Sequence, residues 1–234
     1  MPPHQCQCDP TCKEVAIKGE GLCKKHMRTC RKHRLSGHEP SYNPQAYNDE
    51  FIIQDTHNCY AYAFNHFDKP SDKECNKNSC DIPFHQPGRR AGYPKWDKIK
   101  GKRCPDIVAR VMGDIPGVRL TNATRRCAKG SSKVALVVDP ENDYHWYRLD
   151  DDGFWSHKPG GTKVTRKDAS GHRIYRPDLA DRDYTKDSGN LNYKQFCSYM
   201  CVPRNKTLKL KRGGRRKSIK KRVASLTKGR RTCE

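Results

Sequence analysis

Apolar side chains able to build a core lie mostly in one stretch of this chain, between Phe51 and Val202, and that concentration limits what can fold unaided. Only 33% of the 234 residues are hydrophobic against 32% charged, so a core exists only if those residues are gathered together. Three zones follow. Residues 1–39 are rich in Cys, His and Lys and hold too few large apolar residues to fold without help, which a metal can supply. Residues 40–202 carry all three tryptophans and the β-branched runs, and define the expected central domain. Residues 203–234 are basic and low in complexity, and read as a disordered arm.

Within the central zone, Thr56 to Phe67 (THNCYAYAFNHF) predicts a helix opened by a polar cap, with Tyr60, Ala63, Phe64 and Phe67 at helical spacing. Residues 68–105 read as long loops, and Ile107 to Met112 as a short helix. Lys133 to Val138 (KVALVV) predicts a buried strand. Tyr144–Leu149 and Phe154–His157 flank Asp-Asp-Asp-Gly, a hairpin signal. A helix followed by an antiparallel sheet gives α+β as the fold class. If Asp151, Asp152 and Gly153 form a three-residue loop with Gly153 left-handed, Asp150 opposes Phe154, and His145 and His157 share one face. That register is preferred over a two-residue Asp-Gly turn, which would part them.

The chain has thirteen cysteines. No stretch approaches the roughly 20 apolar residues of a membrane span, and no apolar leader is visible at the start. Synthesis in a reducing compartment is therefore expected, with cysteines serving metal or thiol chemistry rather than a disulfide scaffold. An oxidising destination would pair some of them, Cys75 with Cys80 being the nearest candidates outside the N-terminal cluster. In that cluster a structural zinc is expected on Cys8, Cys12, Cys23 and His26, with Cys6 and Cys30 as rivals, because ligand pairs two to four residues apart are how short chains meet tetrahedral demand.

A nucleophilic cysteine needs a lowered thiol pKa, an imidazole to take its proton and a group to orient that imidazole. Cys59, on the predicted first helical turn, with His145 and His157 on the two hairpin arms, satisfies the list on paper. The plainer alternative is a buried inert thiol and a histidine packed beside Trp146 and Tyr147. The stretches EPSYNPQAYN, HNCYAYAFN, DYHWYRLDDDGFWSHKPGG, TKVTRKDASG and NYKQFCSYMCV resemble a group of uncharacterised proteins of bacteria and large DNA viruses. Those in turn resemble the papain-like superfamily, particularly NlpC-type peptidases. The resemblance implies a papain-like domain over residues 40–202, with Cys59 as nucleophile, His145 as general base and His157 as orienting group. It further implies acyl transfer on a peptide, amide or ester, with an oxyanion donor from the Cys59 amide and Asn58.

Lys and Arg outnumber Asp and Glu by 48 to 26. From Pro203 onward fourteen basic residues face one acid, so +13 of the net +22 lies there. Lys211, Arg212, Arg215, Arg216, Lys217, Lys220, Lys221 and Arg222 are candidate nucleic-acid contacts of the sequence-independent, phosphate-neutralising kind. The same tail suits an arm threading between capsid subunits. Two functions lead: a thiol hydrolase, intracellular in a host cytoplasm or nucleus, and a structural virion component using the fold as scaffold; a third, a plain nucleic-acid-binding zinc protein, explains the ends but ignores the middle.

Overall fold

The computed structural model describes residues 4–30, 35–71, 74–75, 80, 82–95, 102–186, 190–204 and 210–212. Its centre is a five-stranded antiparallel sheet in the order β1-β7-β2-β3-β4. The strands are β1 (Arg119–Thr121), β2 (Ser131–Asp139), β3 (Asp143–Leu149), β4 (Trp155–Ser156) and β7 (Gln195–Pro203). A separate two-stranded ribbon of β5 (Asp183–Tyr184) and β6 (Leu191–Asn192) packs beside the sheet, the Asn192 amide donating to Asp139 Oδ2 at 3.1 Å. Helices and an antiparallel sheet together confirm the α+β class.

Strand alternation divides two cores. On one face Val134, Leu136, Val138, Tyr144, Trp146, Met200 and Val202 pack against helices α4 (Cys59–Ala63) and α5 (Cys104–Asp114), with Leu210 packed into the same core. On the other face Ala135, Val137, Tyr147, Leu149, Trp155 and Tyr199 are covered by Ile174, Ala180 and Tyr193. Three short helices, α1 (His26–Thr29), α2 (Gln45–Asn48) and α3 (Phe51–Thr56), lie outside the sheet. Among the described residues, no helix is long and apolar enough to cross a membrane.

The predicted helix over 56–67 is realised as α4 alone. Asn58 caps it, its side-chain oxygen accepting from the Ala61 amide at 3.1 Å. Asn65, at φ 53°, turns the chain out of the helix. The hairpin takes the preferred register: Arg148 opposes Ser156, Leu149 opposes Trp155, and the Asp150 amide donates to Phe154 O at 2.9 Å. Gly153 sits at φ 87°, where a side chain would be strained.

Among the described residues, eight cysteines form four disulfides: Cys8–Cys30, Cys75–Cys80, Cys104–Cys197 and Cys127–Cys201. This corrects the expectation of a chain without a disulfide scaffold. Cys104–Cys197 ties α5 to β7 and spans 93 residues, and Cys127–Cys201 ties the β1–β2 connection to the same strand across 74. The Cys75–Cys80 pairing agrees with its closeness in sequence.

Candidate functional site

Three groups of chemically capable side chains stand out, and each is set by the local fold. The first is the histidine pair of the hairpin. His145 Nε2 and His157 Nδ1 are 2.7 Å apart, and His157 Nε2 donates to Lys167 O at 2.9 Å. The donor at the Lys167 end leaves Nδ1 of His157 as acceptor, so the proton between the rings belongs to His145. Tyr147 and Tyr193 rings pack against His145. Burial pulls His157 down to about 4, and burial with the neighbouring ring pulls His145 well below its ordinary value. Both imidazoles are neutral at physiological pH.

Cys59 does not join them. Its thiol reaches Tyr144 O at 4.0 Å and packs with Tyr60 and Trp146 on the opposite face of β3, because residues 144 and 146 alternate with 145 and 147. The sulfur is enclosed, and burial pushes the thiol pKa well above that of a free cysteine, the reverse of what a nucleophile requires. The structure therefore brings His145 and His157 together and leaves Cys59 apart from both.

The second group escaped the sequence reading. Oδ1 of Asp68 lies 3.1 Å from His57 Nε2, 3.7 Å from His66 Nε2 and 3.5 Å from His85 Nε2. Burial raises the Asp68 carboxyl, but hydrogen bonds from His57 and His85 prevail and hold it well below the usual carboxylate range. Burial pulls His85 down to about 4. His66, Asp68 and His85 are close enough to share a metal ion, yet Arg212 already engages both carboxylate oxygens, Nη2 to Oδ1 at 3.0 Å and Nε to Oδ2 at 3.3 Å. A cation there competes with a fixed guanidinium. His57 and His66 flank α4, but the loop histidine His85 gave no periodic signal.

Arg212 thus anchors the start of the basic tail, its Nη1 also donating to Thr56 O at 2.8 Å. Lys211 is exposed. Arg215, Arg216, Lys217, Lys220, Lys221 and Arg222, the other candidate nucleic-acid contacts, lie outside the described residues.

The third group is the N-terminal cluster. Cys6, Cys12, Cys23 and His26 place one ligand atom each within 4.8 Å of one another and can hold a metal ion. The expected set is corrected at one position: Cys8 is paired with Cys30, and Cys6 stands in its place. A cleft of about 300 Å³ opens beside this cluster, lined by His26, Thr29, Ala123, Thr124, Tyr175 and Arg176 among others.

Protonation of the buried imidazoles gives a first measurable consequence. His157 has its folded pKa near 4 and an ordinary value of 6.5, so between those values the unfolded chain binds more protons. Stability is then complete above about pH 6.5 and is lost as pH falls towards 4, by on the order of 3 kcal/mol for His157. His85 and His145 act in the same direction. Asp143 and Asp150, whose carboxyls burial pushes up, act oppositely. Urea midpoints measured from pH 7 to 4.5 should fall steeply, and H157Q should flatten the profile. Equal slopes for the two proteins would reject this account.

A sheet tied through β7 by two long-range disulfides, with the Cys59 thiol and the paired His145 and His157 imidazoles enclosed in the packing, defines a disulfide-cross-linked α+β domain. No protein-family model and no solved structure matches the chain. It is 35% identical over 142 residues to Insoluble matrix shell protein 1 of Ruditapes philippinarum, a span covering 60% of this chain and 80% of that protein. The chain belongs to the family of that shell protein. This finding overturns the resemblance to papain-like hydrolases and to proteins of bacteria and large DNA viruses, and the placement of Cys59 away from His145 agrees with the correction.

Proposed function

We propose that the chain is a non-catalytic structural component of an extracellular matrix, a rigid cross-linked block that attaches electrostatically to acidic matrix polymers. The observation that carries this reading is membership of a family that includes an insoluble shell matrix protein. Four disulfides support it, since such bonds persist in oxidising surroundings and are rare in the cytosol. The expected intracellular setting gives way to an extracellular one on the same ground.

The tail takes a corresponding role. Its +13 excess, without aromatic residues for base stacking, suits sequence-independent contact with any dense row of anions. In a matrix the anions are carboxylate- or sulfate-bearing polymers rather than a genome. Arg212, held on Asp68, fixes the point from which that arm departs.

Fractionation of the source tissue tests the reading. An antibody to the chain should find it in the insoluble extracellular fraction, released by salt together with denaturant. Recovery from the soluble cytosol, or hydrolysis of an amide or ester abolished by C59A, would end it.

A further inference from the structure

We propose that Cys6, Cys12, Cys23 and His26 bind one zinc ion, which takes the place of a hydrophobic core in the N-terminal lobe. The inference goes beyond the matrix role and does not depend on it.

The geometry carries the case. His26 Nδ1 lies 3.4 Å from Cys6 Sγ, 3.5 Å from Cys12 Sγ and 3.3 Å from Cys23 Sγ. Three sulfurs are thus nearly equidistant from one nitrogen. A zinc bound at about 2.3 Å to sulfur and about 2.0 to 2.1 Å to nitrogen, at the tetrahedral angle, sets its sulfur and nitrogen ligands about 3.6 Å apart. The observed separations match that edge within a few tenths of an ångström. Hydrogen bonding alone gives no reason for three thiols to converge on a single imidazole nitrogen, which has one lone pair or one proton to share.

Disulfide chemistry does not use up the set. Among the described residues four cysteines are outside disulfides, and three of them are these. Any pairing among three leaves one over. The fourth, Cys59, is buried in the main core against Tyr144.

The backbone is arranged to hold the ligands. Cys23 and His26 are joined by the turn that starts α1, in which the amides of His26 and Met27 both donate to Cys23 O, at 3.0 and 3.1 Å. Cys6 is pinned by its amide donating to Glu14 O at 2.9 Å, and Cys12 by its amide donating to Asp9 O at 3.0 Å. The Cys23 amide donates to Cys6 Sγ at 3.1 Å, a bond that favours thiolate over thiol. Three thiolates and one zinc leave a net charge of −1, which the neighbouring Lys24, Lys25 and Arg28 offset.

Besides the Cys8–Cys30 bridge, the lobe has little apolar burial to hold it together. Its buried cluster consists of Cys6, Leu22 and Cys23 with Phe154 and Tyr175 of the main body, so Leu22 is the lobe's one large buried aliphatic side chain in that cluster. Segments this poor in apolar burial fold when a metal supplies the free energy.

The test uses the full chain purified without chelator or reductant. Metal analysis should find stoichiometric zinc, and cobalt substitution should give the absorption of a tetrahedral thiolate site. Alkylation followed by peptide mapping should show Cys6, Cys12 and Cys23 protected until a zinc chelator is added, with no reductant required. C12S, at the half-exposed ligand, should lose the zinc and the protection of the other two. Labelling at the same rate with and without chelator would overturn the proposal. So would labelling that requires reductant, since that result means a disulfide.

Discussion

Loss of the Cys104–Cys197 bridge is expected to lower the thermal midpoint by roughly 10 to 20 °C, the largest effect of any single covalent change in this fold. The bridge closes 93 residues and Cys127–Cys201 closes 74, so in the chain-entropy picture each removes about 4 to 5 kcal/mol worth of freedom from the unfolded chain. The loops overlap and end on the same strand, so their effects combine to less than the sum. The folded state has its own reason to depend on them. β7 lies between β1 and β2, and its detachment would open both cores at once. Calorimetry of the oxidised chain against the paired C104A/C197A variant measures the effect. A drop below about 3 °C would show that the sheet holds β7 without covalent help.

The same strand shows where sequence reasoning met its limit. β2 and β3 were legible because KVALVV and DYHWYRL are continuous and flanked by turns, and the Asp-Asp-Asp-Gly loop gave the hairpin its register. β7 was not legible. Val137 opposes Phe196 while Leu136 opposes Ser198, so Cys197 is an extra residue in a bulge. Parity changes there: Phe196 and Tyr199 face one core, Cys197 and Met200 the other. A period-two pattern read across the bulge fails, and the two cysteines that look equivalent point to opposite sides of the sheet, one towards α5 and one towards the β1–β2 connection. A disulfide pair with long separation leaves no local trace, so the residues offered nothing against the expectation of an intracellular thiol protein.

Cys59 failed for a related reason. A helix-start cysteine and a strand histidine are the right residue types for a thiol dyad, but whether they meet depends on which face of β3 the helix covers. α4 covers the face of Tyr144 and Trp146, and His145 is on the other. In the N-terminal lobe the composition pointed correctly to a metal-capable cluster, while the choice between Cys6 and Cys8, two residues apart, depended on the partner Cys30.

The acids of the hairpin served in the sequence only as turn residues, yet Asp150 is where the structure is most exposed to a single polar change. Its side chain is fully buried and that of Arg148 is 2% exposed. Arg148 Nε donates to Asp150 Oδ1 at 3.1 Å, Arg166 Nη2 to Oδ2 at 2.9 Å, and Ser156 Oγ to Oδ1 at 3.0 Å. One carboxylate thus answers two guanidiniums. Arg148 has further acceptors in Tyr62 Oη at 2.8 Å, Ser41 O at 3.3 Å and Asn65 Oδ1 at 3.3 Å, but these are neutral. D150N keeps the shape and removes the charge, leaving two cations facing each other with Arg148 out of water. Breaking a buried pair in this way costs about 3 to 5 kcal/mol, whereas replacing both partners by apolar groups is often close to neutral. The double variant R148M/D150N should therefore recover at least half of the loss seen in D150N, with Arg166 swinging towards Asp152, which its Nη1 already reaches at 2.7 Å. Urea unfolding of the four members of that cycle isolates the coupling. If D150N alone unfolds within about 1 kcal/mol of the unmodified chain, the carboxylate is not what allows Arg148 to be buried, and the polar contacts to Tyr62, Ser41 and Asn65 must suffice.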